Sequence, residues 1–392
     1  MELYFLNKKL ETVGIVDTPV SVQWHERYSE VGTFEIHIEL DETIVKLLKD
    51  SYFIIRNGSD RVGVIEYYDS LDSSEEGEYI TIMGRFAECL IGYRIIRYRK
   101  TFNADNSVDT SGTMIINDKK VSEIIKILLA DNVLSPRLDD GSINTDREMK
   151  LFDKTVDDSQ IDSTLDIKPT IQVSYEDDFL EVIYDLLNSI NSSIKVNLIT
   201  NSNKERKLKI SLFTGKNRSY GQKAPINPYI VFSQYFDNLI SANYTYDKTE
   251  ERNAIYIGGE ESTFYKEEGR AMTKYDLDSN GNTLTDLDRK EIFVDGSDIS
   301  QQKTDDSGKY IKVLDDADYK KALENRAKDS VINASEKLVG VIDLSTYVYG
   351  VDYNLGDVIS IDDYIFGVFN KRLIGMDFID EETSTMEPVF EE

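Results

Sequence analysis

The sequence predicts an α+β protein that is predominantly β. Short runs in which apolar and polar residues alternate recur through residues 1–101 and again through residues 229–392. This alternation is the period of strands that are buried on one face. Clusters of Gly, Asn, Ser and Asp separate the runs, as turns do, and only a few segments have helical spacing. We therefore expect two β regions on either side of a mixed centre.

The first β region, residues 1–101, contains one brief helical piece, "DETIVKLLKD", among its strands. Its clearest strand is "TFEIHIEL", in which apolar residues alternate strictly with polar ones. The alternation places His37 on the polar face, and His25 points away from the side of Trp24 in the preceding strand. The spacing of the strands is that of a small barrel or sandwich.

The centre of the chain is predicted to combine helices and strands. Residues 102–172 contain an amphipathic helix, "KVSEIIKILLADNVL", followed by a polar excursion from 135 to 172. Residues 173–228 form a small α/β module, in which the helix "DDFLEVIYDLLNSIN" precedes two strands around a polar turn. Asp177 and Asp178 favour the N-terminus of that helix.

The second β region, residues 229–392, is interrupted by one helix, predicted at about 316–338. An internal repeat of the strand pattern links this region to the first one. Both contain a strand, a polar turn, an apolar-Gly-Val-apolar strand around Gly63 or Gly367, an acidic turn and a closing strand. A duplicated β-barrel would explain this repetition.

Composition restricts the function classes that remain open. The chain has 73 acidic and 45 basic residues, a net charge of −28, which argues against a protein that reads nucleic acids. No apolar run approaches the ~20 residues of a membrane span, and the N-terminus lacks the plan of a signal peptide. We therefore expect a soluble protein made in the cytosol, with its one cysteine, Cys89, packed in a core.

The sequence offers little material for catalysis. The two histidines are predicted on the polar side of strands, and no phosphate-binding loop or nucleophile-elbow motif occurs. Several adjacent carboxylates lie in polar, turn-like stretches that keep them solvated: Glu75/Glu76, Asp139/Asp140, Glu260/Glu261 and Glu381/Glu382. We predict no catalytic, cofactor-binding or metal-binding residue.

One stretch, "DLDSNGNTLTDL", resembles a calcium-binding loop in spacing. Asp276, Asp278 and Asn280 occupy ligand positions, but Leu287 stands where a bidentate glutamate is needed. The flanking segments have the pattern of strands rather than helices. Asn280-Gly281 is also a strong signal for a tight turn, so a hairpin is predicted here in preference to a metal site.

A series of motifs runs along nearly the whole chain: "VQWHERYSEVGTFEIHIEL", "RVGVIEYYDS", "ITIMGRFAECLIGYRII", "DDFLEVIYDLLNSINSSIKVNL", "RKEIFVDGSDIS" and "YVYGVDYNLGDVISI". Their order and spacing resemble the phage tail hub, or baseplate hub, proteins of Gram-positive siphophages, contractile phages and tail-like bacteriocins. The residues that carry the resemblance are expected to be structural: Trp24, Gly32, Phe34, Gly63, Gly84, Arg85, Arg289, Asp295, Tyr349, Gly350, Asp352, Tyr353, Gly356 and Asp357.

The resemblance implies a homotrimeric structural protein without enzymatic activity. Each subunit would contribute two tail-tube-like antiparallel β-barrels, so that a trimeric ring adapts a sixfold tail tube to a threefold spike or tip. The implied partners are distal tail or tail-tube proteins, a spike or tip protein and the tape-measure protein. DNA would pass through an acidic channel without specific binding. The implied location is the tail of a virion or particle that is assembled in the host cytoplasm.

A second hypothesis is a cell-wall glycan hydrolase or carbohydrate-binding tail protein that uses the acidic pairs. Two segments do not match the hub family: the polar excursion from 135 to 172, and the acidic tail after Asp380.

Overall fold

The computed structural model describes residues 2–73, 77–97, 113–116, 118–138, 140–162, 164–165, 167–169, 171–223, 227–261, 270–304, 307–312, 314–343, 346–365, 367–381 and 383–391. The chain divides into two compact units. Unit 1 contains Met1–Asn243 and Leu338–Glu391, and unit 2 contains Tyr244–Lys337. The sequence-based division into four segments stays a prediction.

The strands account for most of the regular structure, which confirms a predominantly β protein. The first β region contains β1 (Leu3–Leu6), β2 (Thr12–Val16), β3 (Ser21–Arg27), β4 (Thr33–Glu39), β5 (Phe53–Arg56), β6 (Gly63–Ser73) and β7 (Gly77–Phe86). The centre contains β8 (Thr113–Ile116), β9 (Asp157–Gln160), β10 (Ile171–Ser174), β11 (Ser192–Thr200) and β12 (Arg206–Thr214), and β13 (Val231–Ser233) opens the second β region.

The remaining strands follow in chain order. They are β14 (Leu239–Asp247), β15 (Ala254–Glu261), β16 (Arg270–Tyr275), β17 (Glu291–Gly296), β18 (Gln302–Thr304), β19 (Tyr310–Lys312), β20 (Ser335–Ile342), β21 (Val358–Asp363), β22 (Gly367–Asp380) and β23 (Ser384–Phe390). The α-helices are α1 (Glu42–Asp50), α2 (Val121–Leu129), α3 (Phe179–Asn188) and α4 (Asp316–Asp329).

The main sheet of unit 1 joins the two ends of the chain. Its strand order runs β20-β23-β22-β3-β4-β7-β6-β5-β1-β2. The hairpin of β3 and β4 is antiparallel, with Trp24 opposite Phe34, and β22 pairs with the other edge of β3, with Phe378 opposite Trp24. Among the described residues this series of pairings is open rather than closed into a ring. The two-barrel arrangement therefore stays a prediction.

Alternation along β4 behaves as the sequence predicts. Phe34, Ile36 and Ile38 are buried, while the polar residues between them are partly exposed. His37 lies on that polar side, where its ring stacks on Tyr79 with the centroids 5.3 Å apart. The predicted strand and the orientation of its histidine are confirmed.

Two helices supply much of the core in the centre of unit 1. The predicted apolar face of α2 is confirmed, since Val121, Ile124, Ile125, Leu128 and Leu129 are all buried. The helix α3 begins after its N-cap Asp178, whose carboxylate accepts hydrogen bonds from the amides of Leu180 at 2.9 Å and Glu181 at 3.1 Å. These bonds satisfy amides that have no partner within the helix. Both helices pack in one core with β11 and β12.

The polar excursion after α2 is anchored to this core. The Phe152 side chain is 2% exposed and belongs to the same cluster of apolar residues. β9 pairs in parallel with β12, and the Asp153 amide donates to the Leu208 carbonyl at 2.8 Å. The segment is therefore part of the packed structure rather than only a surface loop.

Unit 2 consists of a small sheet covered by α4. β15 lies between β16, to which it is antiparallel, and β17, to which it is parallel. Tyr319, Leu323 and Ala327 of α4 are buried against Ile255 and Ile257 of β15. The buried face of α4 thus docks on this sheet.

The helix α4 is shorter than the sequence predicts. It ends at Asp329 rather than near 338, and residues 335–342 form β20 instead. The Ser330 hydroxyl donates to the Arg326 carbonyl at 2.8 Å, and the Ile332 amide pairs with the Arg252 carbonyl at 2.8 Å. A run rich in valine and isoleucine follows, which favours a strand. The predicted end of the helix was therefore wrong.

Membrane insertion through a helix finds no support in the part of the chain that the structure describes. None of its helices combines the length and the apolar character that a bilayer crossing requires.

Candidate functional site

The strongest sequence motif, "YGVDYNLGDV", forms an irregular segment that leads into β21. Gly350 and Gly356 have φ angles of 86° and 87°. Only glycine adopts this left-handed region at low cost. The Asp352 carboxylate accepts a hydrogen bond from the Val348 amide at 2.8 Å, which closes the turn around Gly350. The Gly and Asp residues of the motif therefore define the backbone path.

Gly356 also permits a close contact. A Cβ atom at this position would lie 2.3 Å from the ring of Tyr28, well inside van der Waals distance. The buried Tyr28 hydroxyl donates to the Asn191 carbonyl at 2.7 Å. Burial raises the pKa of Tyr28 to about 12, so this hydroxyl remains a donor at neutral pH. The motif is thus locked against the end of β3.

Asp357 fixes the start of β21 to the loop after β12. Its carboxylate accepts hydrogen bonds from the Arg218 Nε at 2.6 Å and from the Lys216 amide at 2.7 Å. A third bond, 3.1 Å long, comes from the Asn354 amide. Asp357 is 2% exposed, and a buried carboxylate needs this degree of pairing to remain charged.

The two tyrosines of the motif belong to an aromatic cluster. The ring centroid of Tyr349 lies 5.5 Å from that of Tyr353 and 5.6 Å from that of Phe378 on β22. Tyr353 packs edge-on against Phe232 at 5.6 Å. The Tyr349 hydroxyl donates to the Glu26 carboxylate at 2.9 Å. The motif is therefore tied to β3 by packing and by a buried hydrogen bond.

Glu26 belongs to a buried cluster of charges. The Arg61 Nη1 donates to the Glu88 Oε1 at 2.9 Å, and its Nε lies 3.9 Å from the Glu26 Oε2. The Val196 amide also donates to Glu88, at 2.8 Å. Burial disfavours the charge on Arg61, but the two carboxylates outweigh that effect and raise its pKa. Together these contacts join β3, β11 and the segment before β6.

The tryptophan of the opening motif lies in an aromatic core. Its ring centroid is 5.5 Å from that of Phe34 and 4.8 Å from that of Phe86. Gly32 lies beside this core, since a Cβ there would come within 2.5 Å of the Phe86 ring. Trp24 is fully buried.

Two further motif glycines make room for the ring of Phe34. A Cβ at Gly63 would lie 2.5 Å from the Phe34 Cε1, and one at Gly84 would lie 2.8 Å from its Cζ. At Gly84 the same atom would also lie 1.9 Å from the Val64 carbonyl oxygen. Both positions therefore exclude any larger residue unless the structure shifts.

Arg85 pairs with a carboxylate on the neighbouring strand. Its Nε and Nη2 donate to the two oxygens of Glu66 at 2.8 and 2.7 Å, a bidentate geometry. The hydrogen bonds from Arg85 lower the pKa of Glu66. The pair joins β6 to β7 on a partly exposed face.

The other two motif residues lie in unit 2. Arg289 donates to Asp276 at 2.7 Å, to Glu291 at 2.6 Å and to the Tyr256 hydroxyl at 2.8 Å. The Asp295 carboxylate accepts a hydrogen bond from the Ser297 amide at 3.2 Å at the end of β17. The motif residues thus occupy several structural positions rather than one catalytic constellation.

Unit 1 contains a cavity of 1670 Å³ that several motif elements line. Tyr349, Gly350 and Asp357 contribute from the motif before β21. Arg56, at the end of β5, and Arg61, before β6, also line the cavity. The cavity is mixed in character, with both acidic and basic side chains in its wall.

The histidines and the cysteine are the first candidates for catalysis or metal binding, but their contacts are those of structural residues. Within the described ranges, no group of three or more His, Cys, Asp or Glu is placed to hold a metal ion. The Nδ1 of His25 lies 2.9 Å from Asp377, and the Nε2 of His37 lies 3.0 Å from Glu35. Cys89 is buried, which raises the pKa of its thiol to about 12.

The carboxylate pairs also fail to form a cleft site where they are described. Glu260 accepts hydrogen bonds from the amides of Gln301 and Gln302 at 2.5 and 3.1 Å, and Asp140 accepts one from Ser142 at 2.9 Å. Glu381 is exposed. The side chain of Glu261 and four further members lie outside the described residues: Glu75, Glu76, Asp139 and Glu382.

The calcium-like stretch forms the predicted turn. The Asp278 amide donates to the Asn282 carbonyl at 2.8 Å, and Leu277 and Thr283 face each other as an antiparallel bridge. Gly281 has a φ angle of 81°, as such a turn requires. The Asp278 carboxylate caps the turn by accepting from the amides of Asn280 and Asn282 at 2.9 and 2.7 Å. The tight turn is confirmed, but β16 and β17 on its two sides flank β15 in the sheet rather than pairing as one hairpin.

Sequence reasoning missed the buried ionic groups, Arg56, Arg61, Glu88 and Arg218. One signal was available for Glu88, which stands inside the apolar run "FAECLIG". A carboxylate flanked by core residues indicates a buried cation elsewhere, because an unpaired buried charge is costly. Nothing in the sequence shows which cation it pairs with.

The fold is one that phage tail proteins adopt. Over 100% of this chain and 98% of the other, it is similar to the crystal structure of the 43 kDa tail protein of prophage MuSo2 from Shewanella oneidensis, with a TM-score of 0.53 and 11% identity. The tail protein from Neisseria meningitidis MC58 has a TM-score of 0.54 and 10% identity, with 100% of this chain and 96% of that chain covered. At these identities the likeness concerns the fold alone.

The chain belongs to the family described as Siphovirus ReqiPepy6 Gp37-like protein, whose family model matches residues 1–381. The resemblance to a phage tail protein family is therefore confirmed. A search of curated protein sequences gave no match.

Proposed function

We propose that this chain is the structural hub of a phage tail or of the baseplate of a tail-like particle. Three copies form a ring that adapts the sixfold tail tube to a threefold spike or tip. Family membership and the fold shared with phage tail proteins support a tail protein. The location that follows is the tail of the virion or particle, after assembly in the host cytoplasm.

The observation that carries the adapter role is the arrangement of the two β regions. Each contains an antiparallel meander of three consecutive strands, β5-β6-β7 in the first and β21-β22-β23 in the second. We infer that each meander is part of one tail-tube-like β-barrel. A ring that mates with a sixfold tube through three subunits needs two similar surfaces on each chain.

The motif residues serve this architecture as structural elements. Gly32, Gly63 and Gly84 make room for aromatic rings, while Gly350 and Gly356 fix a backbone path. Gly350 and Gly356 let the segment before β21 pack against the end of β3, so the second β region is built on the first.

The charge of the chain supports an acidic channel. With a net charge of −28, three copies would present a strongly negative surface. Such a wall repels the phosphates of DNA and keeps a passing genome from adhering. The partners proposed are a distal tail or tail-tube protein on one side, a spike or tip on the other, and the tape-measure protein inside, without specific nucleic-acid binding.

A structural role without enzymatic activity suits the site better than glycan hydrolysis. A glycosidase needs two carboxylates ~5–10 Å apart in a cleft, with the pKa of one raised. Among the described members of the acidic pairs, Glu260 and Asp140 accept backbone hydrogen bonds in loops or turns, and hydrogen bonding with Ser142 lowers the pKa of Asp140. This direction is the reverse of what a general acid requires.

The decisive experiment determines mass and symmetry together. The purified full chain is measured by light scattering over a range of concentrations and imaged by electron cryomicroscopy. We expect a species of three times 44.9 kDa and a ring with threefold symmetry around a channel. Superposition of the two β regions in that map tests the duplication directly.

Two results would contradict the proposal. One is a chain that stays monomeric at high concentration and is missing from purified tails of its own phage. The other is clearing of a cell-wall suspension by the isolated chain that Glu260→Gln abolishes, which would favour the hydrolase. A lysozyme sample serves as the positive control for the clearing assay.

A further inference from the structure

Arg56, at the end of β5, is a buried cation in the wall of the unit 1 cavity. Its side chain is 9% exposed, and its guanidinium carbon lies 4.0 Å from the ring centroid of Phe378 and 5.9 Å from that of Trp24. The stacking on Phe378 covers one face of the guanidinium. Its N–H groups point in the plane of the group, at right angles to that contact.

The guanidinium of Arg56 has no hydrogen-bond acceptor among the residues that the structure describes. Its Nε is fully buried and has no hydrogen-bond partner, whereas its two terminal nitrogens retain some accessible surface. Burial lowers the pKa of Arg56, and the more distant carboxylates of Glu26 and Asp380 only partly oppose that effect. A buried guanidinium without a partner is unusual, because the loss of hydration is not compensated.

Three carboxylates of the cavity wall already have partners. The Asp60 carboxylate accepts from Lys195 at 3.1 Å, and Asp357 accepts from Arg218 at 2.6 Å. Glu26 accepts hydrogen bonds from Tyr349 and Ser59 at 2.9 and 3.2 Å. None of these three carboxylates is therefore left without a partner, so Arg56 is open to an anion from outside the described residues of unit 1.

The geometry selects the chemistry of this anion. Two terminal N–H groups in one plane match the two oxygens of a carboxylate. Glu26, Asp60 and Asp357 line the same cavity, so a phosphate, which concentrates up to two charges on one group, meets more repulsion beside Arg56 than a single carboxylate group does. The volume of 1670 Å³ exceeds the roughly 300–1,000 Å³ of ordinary small-molecule pockets, which leaves room for a carboxylate carried on a larger group.

We propose that Arg56 anchors a carboxylate-binding site in the unit 1 cavity. The carboxylate is supplied either by an acidic side chain of a second copy of this chain or by a small carboxylic acid. Both sources share the same contact, a planar carboxylate against the terminal nitrogens of Arg56. The site does not depend on the trimeric hub, since its residues all belong to unit 1 of one chain.

The first test uses the full chain and glutarate as the probe. The melting temperature is followed with increasing glutarate, with phosphate and with the uncharged diamide of glutarate. We expect glutarate to raise the melting temperature, and the other two to have little effect. Equal stabilisation by phosphate, or by the diamide, would overturn the selectivity for carboxylate.

Variants assign the effect to Arg56. Arg56→Met keeps a long side chain over Phe378 and should weaken glutarate binding at least about tenfold, because the charge-assisted pair is lost. Without ligand, this variant should melt at or above the temperature of the parent, since an unpaired buried charge is removed. The control Arg137→Met removes the same charge from an exposed arginine of unit 1 that does not line the cavity. It should bind glutarate as the parent does.

Sedimentation distinguishes the two sources of the carboxylate. If a second copy supplies it, both Arg56→Met and added glutarate weaken self-association. If the ligand is a small acid, glutarate stabilises the chain while sedimentation of parent and variant stays the same. The site is disproved if glutarate leaves the parent unchanged and Arg56→Met sediments like the parent. In each experiment, phosphate is the control ligand and Arg137→Met is the control variant.

Discussion

The two meanders of unit 1 repeat a strand pattern but differ in their first connection. In β5-β6-β7, the segment between the first two strands carries Arg61, whose side chain is 4% exposed and pairs with Glu88. In β21-β22-β23, the corresponding turn carries Tyr364 and Ile365, which are 64% and 66% exposed. One connection is anchored in the interior and the other projects apolar side chains into solvent.

The glycines that the sequence aligns between the meanders also differ in their roles. Gly63 begins β6 and is required for space, because a Cβ would lie 2.5 Å from Phe34. Gly367 begins β22 and is required for its backbone, with a φ angle of 87° and open space within 4 Å of the position that a Cβ would take. Similar strand patterns therefore do not imply the same constraint at each position. If the meanders belong to duplicated barrels, they have diverged: the first has an anchored connection and the second an exposed turn.

The largest predicted effect concerns the anchored connection. Arg61→Met should lower the free energy of unfolding by about 3–5 kcal/mol, because the carboxylates of Glu88 and Glu26 stay buried without their cation. Urea denaturation followed by fluorescence of Trp24, the only tryptophan, measures this loss in unit 1. Arg137→Met, at an exposed position, should stay within about 0.5 kcal/mol of the parent. If Arg61→Met lost no more stability than the control, the cluster of Arg61, Glu88 and Glu26 would not be a structural anchor.

The next effect tests close packing in the first meander. Gly84→Ala should cost about 2–3 kcal/mol, because the added Cβ meets the Val64 carbonyl oxygen at 1.9 Å and the strands must separate. Gly92→Ala is the matched control, since its Cβ would lie 3.5 Å from Leu180, an ordinary contact. Denaturation curves of both variants provide the comparison. Equal stability of the two would show that β6 and β7 adjust without strain.

The second meander should respond to backbone strain instead. Gly367→Ala should lower stability by about 1–2 kcal/mol, because alanine is disfavoured at this φ angle although space is free. Gly367→Asn should lose less, since asparagine tolerates the left-handed region better. If the asparagine variant were the weaker one, crowding rather than the backbone angle would govern the position.

Local patterns in the sequence predict some of these features and not others. Alternation predicts β4, and helical spacing predicts the buried face of α2, because each depends only on neighbours along the chain. The pairing of β22 with β3 joins residues more than three hundred positions apart, and no local pattern specifies it. The same limit applies to the site: the motif glycines and Phe34 were identified as motif residues, but their contacts with each other and with Tyr28 were not. Nothing in the sequence indicated that Arg56 is buried, since an arginine at the end of a strand is normally solvated.

A smaller effect concerns the acid dependence of both meanders. Each middle strand carries a carboxylate that is paired with basic side chains on the adjacent strand: Glu66 with Arg85, and Asp377 with Arg27 and His25. Burial opposes ionisation of Asp377, but hydrogen bonds from His25 and Arg27 outweigh it, so the pKa of both carboxyls is lowered. A lowered folded-state pKa gives stability that is present above the unfolded value and lost as the pH falls below it.

The measurement is the pH dependence of unfolding between neutral pH and a pH of about 3, below the ordinary carboxyl range. Glu66→Gln and Asp377→Asn should each reduce the slope of stability against pH in the acid range. Glu291→Gln, which removes a carboxylate from unit 2, should leave the Trp24 transition of unit 1 unchanged. Slopes that do not change in the first two variants would show that these pairs contribute nothing to acid unfolding.

The smallest effect should be found at the exposed turn of the second meander. Tyr364→Ser and Ile365→Ser remove apolar groups that already contact water, so each should change the free energy of unfolding by less than about 0.5 kcal/mol. Arg61→Met, at the corresponding connection of the first meander, should cause the largest loss of unfolding free energy. All of these variants are measured in the same denaturation assay. A large loss at Tyr364 or Ile365 would mean that the turn packs against structure in solution. It would also remove the contrast between a first meander with an anchored connection and a second one with an exposed turn.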